Sequence, residues 1–471
     1  MNKLRFNILL IILSLPLGSV FGQSQISEMT TMGSDTTIVR YWQEDISVVY
    51  TCSNATKDKY FILVDKTTPV IHRIAVPQDV TVNDFRIYDH IVYVGGHHVD
   101  GTGYQRGLLA CFDINDFFNG SGNYHWMVTQ LSSMPDCYCG SCKDQIYDIT
   151  RIALYTVPDE GVQVAFLGKN HILGDPTMRV GIGYANYYMG FWNWCIIYNK
   201  YAEEEYTDII TTQNYVVAAA RHNINAHLVL RVFPKINYIY HDCYVNTQCP
   251  LLSWCVYPNK YGQEFTDLKV DENVMATAMD GDEFAVAYHY TDLPNNGLAV
   301  KTFSIAGSIA TLQQGLNVPV PRRPGSTWKM RDIRYSQQQQ QLLVLNDFDG
   351  GTLSGQESVI YQFPPSALVT GTYYGRYLLS KDLHALDIYG AASDAIVATG
   401  NPRGGGVPFV YWEDIVAMQS CGSQDEVKGL QATAVWDSIY METNINDFDT
   451  IINGDSLFVV GAAPLELICD K

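Results

Sequence analysis

The chain has 471 residues, with 49 acidic against 30 basic side chains and a formal net charge of −19. That balance argues against nucleic acid as a partner, because phosphate binding needs clustered Lys and Arg, and against electrostatic docking on anionic membranes. Tyrosine is abundant (32 residues), charged residues make up only 17%, and no long segment carries a 3.6-residue apolar period. The composition therefore points to an all-β protein.

The first element is a targeting segment. Lys3 and Arg5 precede a nearly unbroken apolar run from Phe6 to Leu17, and Val20-Phe21-Gly22 offers compatible residues for a signal peptidase. This reads as a secretory signal peptide cleaved near Gly22, its apolar run being too short to span a bilayer. No later run is long enough to cross one, so the expected location is secreted or periplasmic. Residues 23–58 follow as an N-terminal segment without a clear place. Within it, Thr36 to Cys52 reads as an edge strand or a crossing of one face. Next comes a hairpin, Tyr60 to Asp65 and Val70 to Ile74 around a Lys-Thr-Thr-Pro turn.

From Val82 onward one short pattern recurs: an apolar residue, any residue, Asp, then Ile, Leu or Phe. Its aspartates are Asp84, Asp148, Asp208, Asp267, Asp332, Asp387 and Asp447, spaced by 64, 60, 59, 65, 55 and 60 residues. Each Asp opens a short strand. A second strand follows, rich in β-branched residues, as in Ile91-Val92-Tyr93-Val94, Val162 to Phe166 and Leu457 to Val460. Third and fourth strands are visible at Gly107 to Phe112 and Phe191 to Ile196. Four short antiparallel strands in a unit of about sixty residues resemble a blade of the β-propeller superfamily. The likeness extends over residues 59–471, and no narrower family is recognised. It implies a seven-bladed β-propeller of four-stranded antiparallel blades. Its ring would close by the N-terminal hairpin supplying outer strands to the blade begun by Asp447, since an open array would leave unpaired edges.

Two sets of residues are candidates for function. The seven aspartates would stand innermost, beside the axis. Repetition in every blade favours a structural role, with each carboxylate accepting backbone N–H bonds, over a cation site. The loops after the second strands differ between blades, as a binding site requires. They carry His97 and His98, Lys169 and His171, Arg221 and His222, Asp347, and Arg403. These should gather on one face near the channel. The alternating acids at Asp347-Phe348-Asp349-Gly350 leave calcium as the one cofactor to consider, although the full calcium-loop pattern is missing.

Eleven cysteines in an exported chain point to disulfides. Ring closure would bring Cys52 and Cys469 into one blade, and a bond closing a loop of roughly 400 residues would contribute about 5 kcal/mol by the chain-entropy argument. No nucleophile elbow, H-E-x-x-H, phosphate loop or dinucleotide fingerprint is present. The sequence thus favours a secreted, non-catalytic binding or scaffold propeller with a protein or glycan ligand. The alternative is a carbohydrate-active enzyme, a glycoside hydrolase or lyase, with its site at the channel mouth.

Overall fold

The computed structural model describes the chain from residue 25 to residue 467 with interruptions, the longest at 132–144 and 236–260. Beyond residue 415 the description is of backbone alone. Among the described residues the strands form seven antiparallel sheets, six of them meanders of four consecutive strands. Sheet one holds Thr36–Gln43, Ile46–Cys52, Lys59–Asp65 and Val70–Ala75. The first strands of sheets two to seven are Val80–Tyr88, Gln145–Val157, Glu204–Thr211, Val274–Ala278, Thr327–Ser336 and Lys381–Tyr389.

Alternation along each second strand explains why the sheets stack face to face. Successive side chains of a strand point to opposite faces, so a strand apolar at every position is buried on both sides. In Ile91–Val99, Val92 and Val94 join the core shared with sheet one, whereas Ile91 and Tyr93 join the core shared with sheet three. Likewise Val216, Ala218 and Ala220 face sheet three, and Val217 and Ala219 face sheet five. Further cores lie between sheets five and six and between sheets six and seven. The core of sheets one and two also takes in Ala385, Val397, Val410 and Trp412 of sheet seven. Each first strand touches the first strand of the next sheet, and that of sheet seven touches that of sheet one.

The N-terminal hairpin behaves differently from expectation. Lys59–Asp65 pairs with Ile46–Cys52, so the hairpin completes a sheet whose innermost strand is Thr36–Gln43. In the stretch from Thr36 to Cys52 the side chains of Ile38, Val39, Val48, Val49 and Tyr50 are buried, and that burial claims the place assigned to an Asp447 blade. The strands flanking Asp447 are instead fifth, outermost strands: Tyr440–Asn444 pairs with sheet three and Thr450–Asn453 with sheet two. Phe458–Gly461 pairs with Val70–Ala75 as the outermost strand of sheet one and is not a second strand. Sheet seven receives its fourth strand from Gln25–Glu28, which pairs with Phe409–Asp414. Asp447 and Cys469 lie outside the described residues, and Cys52 ends the second strand of sheet one.

Candidate functional site

In sheets two, three, four, six and seven the pairing of the first strand skips one residue: Asn83, Tyr147, Thr207, Arg331 and His384. Such a β-bulge kinks the strand and re-aims the extra side chain. Asn83, Arg331 and His384 thereby reach a cavity of about 270 Å3 at the centre of the molecule. Every first strand contributes to its lining, from Arg40 in sheet one to Met275 in sheet five, apart from sheet five's added Asn273 just before its strand. Opposite two bulges the chains approach too closely for a side chain. A Cβ at Gly96 would lie 1.8 Å from the Thr81 carbonyl oxygen, and one at Gly400 would lie 2.0 Å from that of Asp382.

The residue after the bulge is the repeated aspartate in sheets two, three, four and six. Three of the four staple neighbouring sheets. Asp84 accepts from its own next N–H, Phe85, at 2.9 Å and from Ile152 N–H of sheet three at 3.1 Å. Asp208 does the same with Ile209 (2.9 Å) and Ala276 of sheet five (2.8 Å). Asp332 does so with Ile333 (3.0 Å) and Leu386 of sheet seven (3.3 Å). Arginines supply the countercharge. Arg40 Nη2 donates to Asp84 at 2.7 Å, Arg86 lies 3.3 Å from Asp84, and Arg334 binds Asp332 at 2.5 Å and Asp387 at 2.9 Å. Burial pushes the Asp84 carboxyl up, but Arg86, Arg40 and Arg151 outweigh it and hold it below the usual range. Asp208 has Arg151 3.9 Å away and Arg86 farther off, and burial outweighs both and leaves its carboxyl raised. Burial, together with Arg86 and Arg334, brings Arg40 down to about 10. These pairings occupy both oxygens of Asp84, Asp208 and Asp332.

Two aspartates of the repeat are not equivalent to the rest. Asp267 is exposed on Tyr261–Lys269, the fourth strand of sheet four, where the buried Phe265 and Leu268 match the pattern on an outer strand. The first strand of sheet five starts at Val274 and has no Asp. Asp387 lies two residues beyond the position after its bulge, which Ala385 occupies. It accepts from Tyr41 N–H at 2.8 Å and so ties sheet seven to sheet one by another route.

Asp148 departs in a different way, and it gathers two of the predicted site residues. Its Oδ1 accepts from Asn83 Nδ2 at 2.5 Å and lies 2.9 Å from His97 Nδ1, while Lys169 Nζ is 3.8 Å from Oδ2. His98 pairs with Asp79 at 2.7 Å, and Arg221 Nε donates to the Val270 carbonyl at 3.0 Å. Register puts His97, His98, Lys169, His171, Arg221, His222 and Asp347 opposite the beginnings of first strands, so all stand at the same end of their sheets. None of them lines the cavity. For His171 only the backbone is described, and Arg403 lies outside the described residues.

The cavity's own network was not visible in the sequence reading. Arg331 Nη2 donates to Asp347 at 3.1 Å and to Asp382 at 3.3 Å. Ser358 Oγ donates to Asp347 and accepts from Leu383 N–H at 2.9 Å. Thr37 N–H donates to His384 Nδ1 at 3.2 Å, which in the neutral ring leaves the proton on Nε2, 3.4 Å from Asp382. Burial opposes ionisation of Asp382, but His384 and Arg331 hold its carboxyl well below the usual range. A signal was present for the arginines that pair with the repeated aspartates: an Arg two residues past the Asp, in Asp84-Phe85-Arg86 and Asp332-Ile333-Arg334. Among the described residues no group of three or more His, Cys, Asp or Glu side chains could hold a metal ion, and no helix is long and apolar enough to cross a membrane.

Four-stranded antiparallel meanders packed face to face, with their first strands around a shared cavity, define a β-propeller. No known protein family and no curated protein matches the sequence. Among solved structures the chain is similar to the β-propeller domain of the Trilobed protease from Pyrococcus furiosus, described as having an open velcro topology. The identity is 6% and the TM-score 0.37, covering 85% of this chain and 96% of that one. It is also similar to the Nup133 β-propeller domain of Vanderwaltozyma polyspora, at 9% identity and a TM-score of 0.37, covering 83% and 98%.

Proposed function

We propose that the chain is a closed seven-bladed propeller exported from the cell, where it acts as a non-catalytic binding protein. Its binding surface is the face on which the first strands begin, around the mouth of the central cavity, and its ligand is a protein or a glycan. The observation that carries this reading is the convergence of seven first strands on one cavity, at the end where the loops differ from sheet to sheet. The strand Gln25–Glu28, joined to sheet seven, supports closure of the ring between the two ends of the chain. The apolar run behind Lys3 and Arg5 supports export.

A second reading, a carbohydrate-active enzyme, is favoured by one feature: Asp347 and Asp382 flank a single guanidinium beside the cavity. A pair of carboxylates is the equipment of glycoside cleavage. A glycan array with the purified 23–471 chain separates the readings. A binding protein retains a restricted set of glycans unchanged. Retention falls in the double variant His98→Ala, His222→Ala and persists in Tyr88→Ala, which alters the opposite end of sheet two. Loss in Tyr88→Ala alone would overturn the assigned face, and shortening of the bound glycan would establish the enzyme.

A further inference from the structure

We infer that the central cavity is a receptor for a small oxyanion, a carboxylate or phosphate of metabolite size. The inference rests on the cavity being the binding centre of the propeller, and it names the ligand's chemistry. The argument is an inventory of donors and acceptors. Five basic side chains line the cavity, Arg40, Arg86, Arg151, Lys329 and Arg331, against three carboxylates. The carboxylates have no acceptor capacity to offer a ligand. Both oxygens of Asp84, Asp208 and Asp332 are taken by backbone N–H groups of two sheets, and the arginines press on the same oxygens.

Donor capacity remains. Arg331 uses Nη2 on Asp347 and Asp382, which stand behind it and outside the lining, while its buried Nε has no partner among the described residues. Lys329 is exposed at the rim and has no hydrogen bond or ion pair among the described residues. Asn273 adds an amide group to the same lining, whereas the amide donors of Asn83 are held by Asp148 and the Ile149 carbonyl. An orphaned buried donor is costly, and a ligand oxygen would satisfy it. A lining with donors to spare and acceptors exhausted selects a ligand made of acceptors.

Charge and size narrow the class. A basic cavity inside a chain of net charge −19 is set against the overall field, so it acts locally, on a ligand small enough to enter. The volume of about 270 Å3 is below the range of drug-sized pockets, roughly 300–1,000 Å3. It suits inorganic phosphate, a phosphomonoester or a short di- or tricarboxylate. A polyanionic macromolecule would meet the acidic exterior first.

The test is isothermal titration of the purified 23–471 chain with inorganic phosphate and, separately, with succinate. Saturable binding of one ion per chain to either probe is expected, and the probe preferred identifies the source as phosphate or carboxylate. Lys329→Glu, a rim substitution without packing consequences, should weaken that binding by about tenfold or more. Lys57→Glu makes the same charge change on an exposed turn of sheet one and should leave it intact. Arg331→Gln should abolish binding, with circular dichroism confirming the fold. Absence of saturation by both probes at millimolar concentration overturns the inference, as does equal weakening by Lys329→Glu and Lys57→Glu. Neither result touches the face assignment above, which fails only if glycan or protein retention ignores His98 and His222.

Discussion

Val82-Asn83-Asp84-Phe85 and Ile146-Tyr147-Asp148-Ile149 are the same motif on neighbouring first strands, with a bulge at the same residue, yet their carboxylates do different work. Asp84 is almost fully buried, joins two sheets through backbone N–H groups and is neutralised by Arg40 and Arg86. Asp148 turns toward the beginning of its strand and collects side chains: Asn83, His97 and Lys169. A second register shift, between Ile149 and Arg151, distinguishes its strand from that of Asp84. The comparison teaches that a repeat can be structural in most copies and released for other duties in one. Where the staple is given up, the symmetry of the repeat breaks, and Asn83 carries that break to the cavity lining.

The largest effect should come from breaking a staple. Asp84→Ala strands Arg40, which is buried and holds Asp84 at 2.7 Å, and orphans the N–H of Ile152. Loss of one partner of a buried pair costs about 3–5 kcal/mol. Calorimetric melting of the purified variant should show that loss, and a shift no larger than that of an exposed substitution would refute the staple.

Next in size is a contrast between staples, read by pH. The ionised Asp84 is favoured in the fold, so its contribution is present above the unfolded carboxylate value of about 3.9 and drains away as pH falls through the lower folded value. Asp208 has the opposite sign. Its raised value favours the neutral acid, so its contribution is complete below the unfolded value and is lost as pH rises through the folded one. At neutral pH, Asp208→Asn should therefore cost less than Asp84→Asn, by about 1–3 kcal/mol. The gap should narrow on acidification toward pH ~4 as wild-type Asp208 regains its favoured neutral form, and further below that as Asp84 takes up its proton. Melting temperatures across that range decide it; a gap independent of pH would contradict the assigned signs.

These contrasts also mark how far the sequence could be read. The motif located the first strands of sheets two, three, four and six, because a bulge followed by Asp needs a fixed local pattern. It failed at Asp267, where Phe265 and Leu268 face a core on an outer strand, and it missed Val274–Ala278, which carries no Asp of its own and is held by apolar contacts and by bonds to Thr207 and Asp208 of sheet four. Arg40 was invisible because its strand has no Asp and its register shift falls later, at Trp42; only folding brings it beside Asp84, 44 residues away. The four-residue strand Gln25–Glu28 is too short to carry a period. The second-strand residues His97, His98, Lys169, Arg221 and His222 were placed at one end of the sheets by register, yet the cavity belongs to first-strand positions. Pairing partners decide that distinction, and a linear sequence does not display them.

The Asp148 cluster should respond more weakly than the staples. Asp148→Ala removes an acceptor from Asn83 and His97 but orphans no fully buried charge, since His97 and Lys169 both keep access to water. The expected cost is about 0.5–1.5 kcal/mol, the net worth of a hydrogen bond. A cost matching that of Asp84→Ala would mean that Asp148 staples the ring after all.

The smallest expected effect is that of Lys169→Ala. Its ammonium stands 3.8 Å from Asp148 Oδ2, and its side chain is 43% exposed. Solvent screens such a pair, and ordering a long side chain offsets most of what remains, so its removal should change stability by less than about 0.5 kcal/mol. Its place at the leading end of sheet three, across from Asp148, gives it a different use: a donor offered to whatever docks on that face. Lys169→Ala should melt with the wild type while weakening retention on the glycan array about as much as the His98 and His222 substitutions do. Unchanged retention would confine the binding surface to sheets two and four, and a large drop in melting temperature would move Lys169 from the face into the framework.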